Sequence, residues 1–418
     1  MALPIRPFLF FTDGLSCSST SRFFVALFSF HTSSCRRRRK ETHLFHEEPL
    51  NIIMLFAPVL LLSLAVGSLA RSSFGRSPSR PSLEHRQLVR RCKPHSTGHP
   101  TPTGTPGSGP NNGPPTNSSA PSGSGGKFKQ EVMYKGEDFF SQWDFFTEDD
   151  PTHGLVNYQS QGDAESKHLA FVDGDATILA VDATKTLQPG QKRDSVRITS
   201  KKKWSAGLFI ADFSHMPFGC STWPAYWSVG PGWPNAGEID VVEGVNQQST
   251  NQYTLHTSEG CKASKGSVDV SGKPGQTTQC ATIGGDNTGC AYIDTDARSY
   301  GQGFNDAGGG VFAHLWDHTG IKIWHFARSD VPSNIQSGSP DPSGWGSPAA
   351  FWSSDTCDIG QHFHDHSLVI DTTLCGDWAG AVYSSAGCPG TCEQAVADPK
   401  NFKDAKWKIN FVAVYQPA

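Results

Sequence analysis

The run Gly237-Glu238-Ile239-Asp240-Val241-Val242-Glu243-Gly244 sets three carboxylates within six positions, interleaves them with branched aliphatics and closes both ends with glycine. Ile and Val beside the acids favour an extended strand. In a regular strand the side chains alternate, so Glu238 and Asp240 point one way and Glu243 points the other. A β-bulge at Val241-Val242 lets two residues take the place of one and restores the parity. All three acids then form a ladder on one face. Ionised together they repel one another, so at least one has to hold its proton where a free carboxyl has lost it.

Such a ladder serves folding poorly, and three readings are open. Scattered acids on an exposed strand account for the composition but not for a shared face. A divalent cation finds oxygen ligands here, although the spacing is not that of a calcium loop. A retaining glycosidase needs one ionised carboxylate and one protonated carboxyl, roughly 5 Å apart on opposite sides of the scissile bond. Glu238 and Glu243, bracketing Asp240, suit that requirement.

Glu-Ile-Asp-Val-Val-Glu resembles the bulged Glu-x-Asp-x-x-Glu signature of glycoside hydrolase family 16, which holds laminarinases, lichenases and related β-glucan enzymes. The resemblance implies that Glu238 is the nucleophile, Glu243 the acid/base and Asp240 the partner that tunes their protonation. It also implies a jelly-roll sandwich of two curved antiparallel sheets with a concave substrate cleft. The substrate implied is a β-1,3 or mixed β-1,3/1,4 glucan, cleaved by double displacement without cofactor or metal. Transfer to a second sugar chain, and glucan binding without catalysis, are the alternatives.

Just upstream, Trp223, Tyr226, Trp227 and Trp233 stand among prolines and glycines. Flat aromatic faces complement the C–H faces of pyranose rings, so Trp233 and Trp227 are expected to wall sugar subsites. Each serves equally well as core, and Trp223 is not placed in the set. Downstream, Asn251-Gln-Tyr-Thr-Leu-His-Thr257 alternates like an adjoining antiparallel strand. The resemblance places His256 on it near the acid/base. Cys375-Gly-Asp-Trp-Ala-Gly380 resembles the fungal laminarinase-like branch of the family, in which the tryptophan borders the cleft; Trp378 therefore joins the candidates.

Elsewhere in residues 127–418 short apolar runs alternate with Gly, Pro, Asn and Asp, which reads as an all-β sandwich. Phe139–Phe146 is an aromatic strand or corner, Ser195–Ser200 an alternating strand, and Ala206–Asp212 an interior strand. Val311–Trp316 and Gly320–Ala327 make a hairpin, and Leu368–Leu374 is a further strand. The alternation of Trp407, Ile409, Phe411, Ala413 and Tyr415 predicts a terminal strand with these five on one face.

The 418-residue chain divides near residue 126: all eleven tryptophans lie beyond it, and so does the negative charge. Residues 1–126 carry 14 Lys+Arg against 5 Asp+Glu, a net of +9, so the total of −4 leaves −13 for the remainder. An acidic domain is a poor partner for nucleic acid. Residues 54–70 read as a signal peptide, with an uncleaved anchor over Ile52–Ala70 as the alternative. Residues 1–53 then read as a non-structural leader or upstream sequence behind a wrong start. Residues 71–126 combine a basic, propeptide-like segment containing Arg90-Arg91 with a Pro/Gly/Ser/Thr tether and one glycosylation sequon at Asn117. The closing residues lack the hydrophobic tail of a lipid-anchor signal. A secreted or wall-associated monomer follows, with no membrane contact once the signal is removed. Eight of the eleven cysteines fall in the globular part, enough for up to four disulfides of undetermined pairing.

Overall fold

The computed structural model describes residues 128–264 and 269–418; the expected leader, signal and tether lie outside them. The strands in chain order begin with β1 (Phe128–Tyr134), β2 (Trp143–Phe145), β3 (Val156–Tyr158), β4 (Ala170–Asp173), β5 (Ala176–Ala180) and β6 (Arg193–Ser195). Then come β7 (Arg197–Ser200), β8 (Gly207–His215), β9 (Thr222–Val229), β10 (Glu238–Glu243), β11 (Gln252–His256) and β12 (Lys273–Pro274). The last six are β13 (Cys290–Ile293), β14 (Gly310–Asp317), β15 (Gly320–Ala327), β16 (Ala350–Ser353), β17 (Ser367–Leu374) and β18 (Lys406–Pro417). Helical segments are short, and among the described residues none is long and apolar enough to cross a membrane.

Two eight-stranded antiparallel sheets hold most of these strands. One runs β16-β15-β14-β8-β18-β5-β4, with β1 added on β18; the other runs β12-β13-β11-β10-β9-β17-β7-β2. β3 and β6 form a small parallel pair. The core lies between the large sheets: Phe213 of β8 meets Tyr226 of β9 edge to face, ring centroids 5.4 Å apart, and Trp407 of β18 lies 5.0 Å from Phe213. β8 is buried from Gly207 to Phe213 because both its neighbours, β14 and β18, cover its edges while the second sheet covers a face. The expected hairpin is present as β14 and β15, closed by His318-Thr319. The aromatic corner is two 3₁₀ turns leading into β2, with Phe139 stacked on Trp143 at 5.4 Å.

Two expectations fail: Ser195–Ser200 divides at Val196 into β6 and β7, which join different sheets, and the terminal strand does not keep one face. Trp407, Ile409, Phe411, Ala413 and Tyr415 do not share a face, because the pairing of β18 with β8 slips between Lys408 and Ile409 and again between Ile409 and Phe411. Trp407, Ile409, Val412 and Val414 fill the core between the sheets, while Phe411, Ala413 and Tyr415 turn outward to a second apolar cluster with Trp324 and Trp345. Period-two reading holds only where the register is unbroken.

All eight cysteines of the domain pair, as Cys220–Cys388, Cys261–Cys357, Cys280–Cys290 and Cys375–Cys392. Cys220–Cys388 ties the segment after β17 back onto the start of β9, and Cys375–Cys392 closes that segment on its own first residue. The π-helical turn Gly376–Gly380 opens that segment.

Candidate active site

β10 lies between β9 and β11 near the middle of its sheet. Its pairing with β9 matches Glu238 to Val229, Asp240 to Trp227 and Glu243 to Ala225, with a register shift between Asp240 and Val242. Because Val229, Trp227 and Ala225 alternate without interruption, their three partners share one face. Val241 and Val242 both enter the core on the other face, beside Ile239. The glycines that close the run are required by close approach. A Cβ on Gly237, whose φ is +79°, would stand 2.4 Å from the His362 carbonyl, and one on Gly244 would stand 2.7 Å from the Tyr300 ring.

The acids sit in low dielectric. Asp240 is 1% exposed, and the two glutamates are part-buried on either side of it. Burial pushes Glu238 up to about 8, with the Asp240 charge adding to it and His256 and the Trp233 indole N–H pulling it down. Burial pushes Glu243 up to about 7, against the hydrogen bond that Trp223 Nε1–H donates to its Oε1 at 2.9 Å. Asp240 is held well above the ordinary carboxylate range by burial first and by the charge of Glu243 second. Both glutamates thus hold their protons well beyond the ordinary carboxylate range. The three acids share their protons, and the deepest, Asp240, gains most from being neutral. A proton on Asp240 removes the charge that raises Glu238 and gives Glu238 an O–H to accept.

The other candidates fall at different depths around this ladder. His256 faces Glu238 across the β10–β11 pair, with Nε2 3.4 Å from Asp240 Oδ2. Trp227 lies opposite Asp240 and is part-buried; the Arg197 guanidinium sits 5.0 Å from its ring and 4.5 Å from Phe146. Trp233 projects from the loop between β9 and β10 and is 44% exposed, the most open of the candidate aromatics. Trp378 stands on the stapled π-helical turn, in edge-to-face contact with Trp223 at 5.6 Å, and lines a hollow of about 290 Å³ with Val245, Gln248 and Val382. Glu238, Asp240 and His256 bring one donor atom each within 4.8 Å of one another. Carboxyls that retain protons near neutrality are poor metal ligands, since a ligand has to give its proton up.

Three further residues join the site. Trp223, set aside from sequence, is the direct donor to Glu243. Asp371 of β17 pairs with Ala225 and so faces Glu243; burial pushes it up to about 7, against Arg197, whose Nε is 3.8 Å away. An aspartate centred in the apolar run of β17 is the signal that could have found it. Asn251 binds the backbone of β10 on both sides of Val242, and nothing in its local sequence distinguishes it from a turn residue.

Residues 143–415 match the family described as "XgeA-like, catalytic GH16 domain". A protein of Neosartorya fischeri named as a probable endo-1,3(4)-β-glucanase is 44% identical over 295 residues, 68% of this chain; the chain spans only 44% of that relative's length. The laminarinase 16A of Phanerochaete chrysosporium, solved with β-glucans in donor and acceptor sites, is 42% identical, with a TM-score of 0.67 over 69% of this chain and 100% of that one. A second solved structure, an elongating family 16 β-1,3-glucosyltransferase, is also 42% identical, with a TM-score of 0.66 over 69% and 100%. The sandwich with its three-acid strand is thus the jelly roll these proteins share, and the chain belongs to glycoside hydrolase family 16.

Proposed function

We propose that residues 127–418 form the catalytic domain of a retaining endo-β-glucanase that hydrolyses β-1,3 or mixed β-1,3/1,4 glucans. The observation that carries this reading is the bulged β10, which presents Glu238, Asp240 and Glu243 on one face as a proton-sharing set. Glu238 attacks the anomeric carbon while Glu243 protonates the departing glycosidic oxygen, so the C–O bond breaks as the glycosyl-enzyme ester forms. Glu243, now ionised, takes a proton from water; the water oxygen attacks the same carbon from the side the leaving group vacated, and Glu238 is released. Inversion twice gives retention. The proton that the free site shares between Glu238 and Asp240 rests on Asp240 once substrate is bound, which leaves Glu238 the anion that attacks.

Trp227, Trp233 and Trp378 offer ring surface to pyranose faces, and His256 helps hold Asp240 and the sugar at the ladder. The chemistry calls on no cofactor. Water and a second glucan compete for the ester, and the likeness to a glucosyltransferase makes transfer the second reading. Four disulfides suit an oxidising compartment, and the export apparatus read in residues 54–70, followed by the tether of 71–126, carries the domain outside the cell as a monomer.

The test is product analysis of the purified protein with laminarin, lichenan, chitin and a labelled acceptor. New reducing ends from laminarin or lichenan, first appearing as the β-anomer by NMR, support the hydrolase; label in longer chains moves the reading to transfer. Glu238→Gln should end turnover and preserve glucan binding, and near-normal turnover refutes the assignment.

A further inference from the structure

β11 follows β10 only through Glu238, Ile239 and Asp240, which pair with His256, Leu255 and Thr254. The bulge then breaks the ladder on this edge while pairing continues on the β9 side through Val242 and Glu243. A buried strand edge cannot leave its amide and carbonyl groups without partners. The Asn251 side chain answers both: Oδ1 accepts the Glu243 N–H at 3.0 Å, and Nδ2 donates to the Val241 carbonyl at 2.8 Å. A carboxamide has the donor and acceptor of a peptide group, so Asn251 supplies the one peptide that the broken register lacks.

Asn251 is itself held. It is fully buried, its N–H donates to Ser299 Oγ at 2.9 Å, and its carbonyl accepts the Asp294 N–H at 2.9 Å. Those two bonds anchor it to the turn after β13, outside β10. The clasp therefore ties the backbone of Glu243 to a part of the domain that does not depend on the bulge.

We infer that Asn251 is the positioning residue for Glu243: by clasping both ends of the bulge it fixes where the acid/base carboxyl stands relative to Glu238. This rests on the reading of Glu243 as acid/base. Asn251 does not touch the sugar; it acts through the Glu243 main chain, from the side opposite the Trp223 bond to the carboxylate. Proton donation works only within hydrogen-bond reach of the leaving oxygen, so a Glu243 freed by about 1 Å loses on the order of 100-fold in rate on a substrate that needs the proton.

The test compares leaving groups. Glucan needs its departing oxygen protonated; a 2,4-dinitrophenyl β-laminaribioside does not, and its pre-steady-state burst reports attack by Glu238 alone. Asn251→Ala should lower kcat on laminarin by about 100-fold with KM near wild type, and leave the aryl burst rate within a few-fold. Asn251→Asp keeps the Oδ1 acceptor and should lose less, about tenfold. Equal loss on both substrates, or no loss on laminarin, overturns the inference. So does failure of both variants to fold, which would make Asn251 a scaffold residue only; if Asn251→Ala alone fails to fold, Asn251→Asp decides by the same ratio. Glu243→Ala is the control. If it does not itself discriminate between the substrates, the acid/base reading falls; if it does and the Asn251 variants do not, only the positioning role falls.

Discussion

Replacing Glu238 by Gln should stabilise the domain at pH 8 and leave it unchanged at pH 4. The carboxyl titrates at about 8 in the folded protein, against 4.5 for an ordinary glutamate. Below pH 4 both folded and unfolded chains hold the proton. Between the two pKa values the unfolded chain releases a proton that the folded chain keeps, so stability is lost as pH rises; above pH 8 the loss is constant. The whole displacement corresponds to roughly 4–5 kcal/mol at 1.36 kcal/mol per unit. Glu238 is part-exposed to the cleft and shares its proton with Asp240, which reduces the expected gain to about 2–3 kcal/mol. For a domain of this size that is about 3–5 °C in Tm. Gln is isosteric, so packing against the floor of the site should not change. Scanning calorimetry of both proteins at pH 4, 6 and 8 measures the difference. An equal gain at pH 4, or a loss at pH 8, would falsify the claim that the fold holds this carboxyl under electrostatic strain. The variant that gains stability should be the one that has lost turnover, as expected where a site is kept at a cost to the fold.

Two other outcomes are expected. Trp223→Phe removes the N–H that favours ionised Glu243, so the pKa of Glu243 rises and the limb on which kcat/KM falls with increasing pH moves to higher pH; a shift to lower pH contradicts the bond. His314 is buried without a hydrogen-bond partner, stacked 4.3 Å from Phe209, and burial pulls it down to about 3. The unfolded chain takes up a proton below pH 6.5 that the folded chain refuses until about 3, so stability falls with pH across that window, by up to roughly 4–5 kcal/mol. His314→Phe should flatten that fall in urea titrations at pH 4 and pH 7; an unaltered slope excludes His314 as its source.

The three-acid strand could be read from residues because its chemistry contradicts its geometry: acids five positions apart belong on one face only if the strand is irregular. β18 contains the same irregularity and gave no such sign. Its alternating apolar residues suit either face, so a slipped register left the pattern looking regular while it divided Phe411, Ala413 and Tyr415 from Trp407 and Ile409. Ser195–Ser200 likewise reads as one alternating strand, yet it divides at Val196 between the parallel pair with β3 and the large sheet. Trp223 and Asp371 reach Glu243 from β9 and the neighbouring β17, where proximity depends on sheet order rather than sequence distance. Asn251 acts through main-chain groups of another strand, a relation that leaves no trace in residue type.

The phase of the acids is set by the unbroken neighbour and not by the count of residues in the run itself. Val229, Trp227 and Ala225 mark three successive rungs on one side of the sheet, and Val241 is the residue that has no rung of its own. A contraction that removed Val241 would leave Glu-Ile-Asp-Val-Glu, whose acids occupy those same three rungs with no kink, whereas adding a residue would turn the last acid into the core. Family members could therefore differ by a residue here and keep their geometry, and an alignment that insists on a fixed interval between the two glutamates would separate chains that are the same machine.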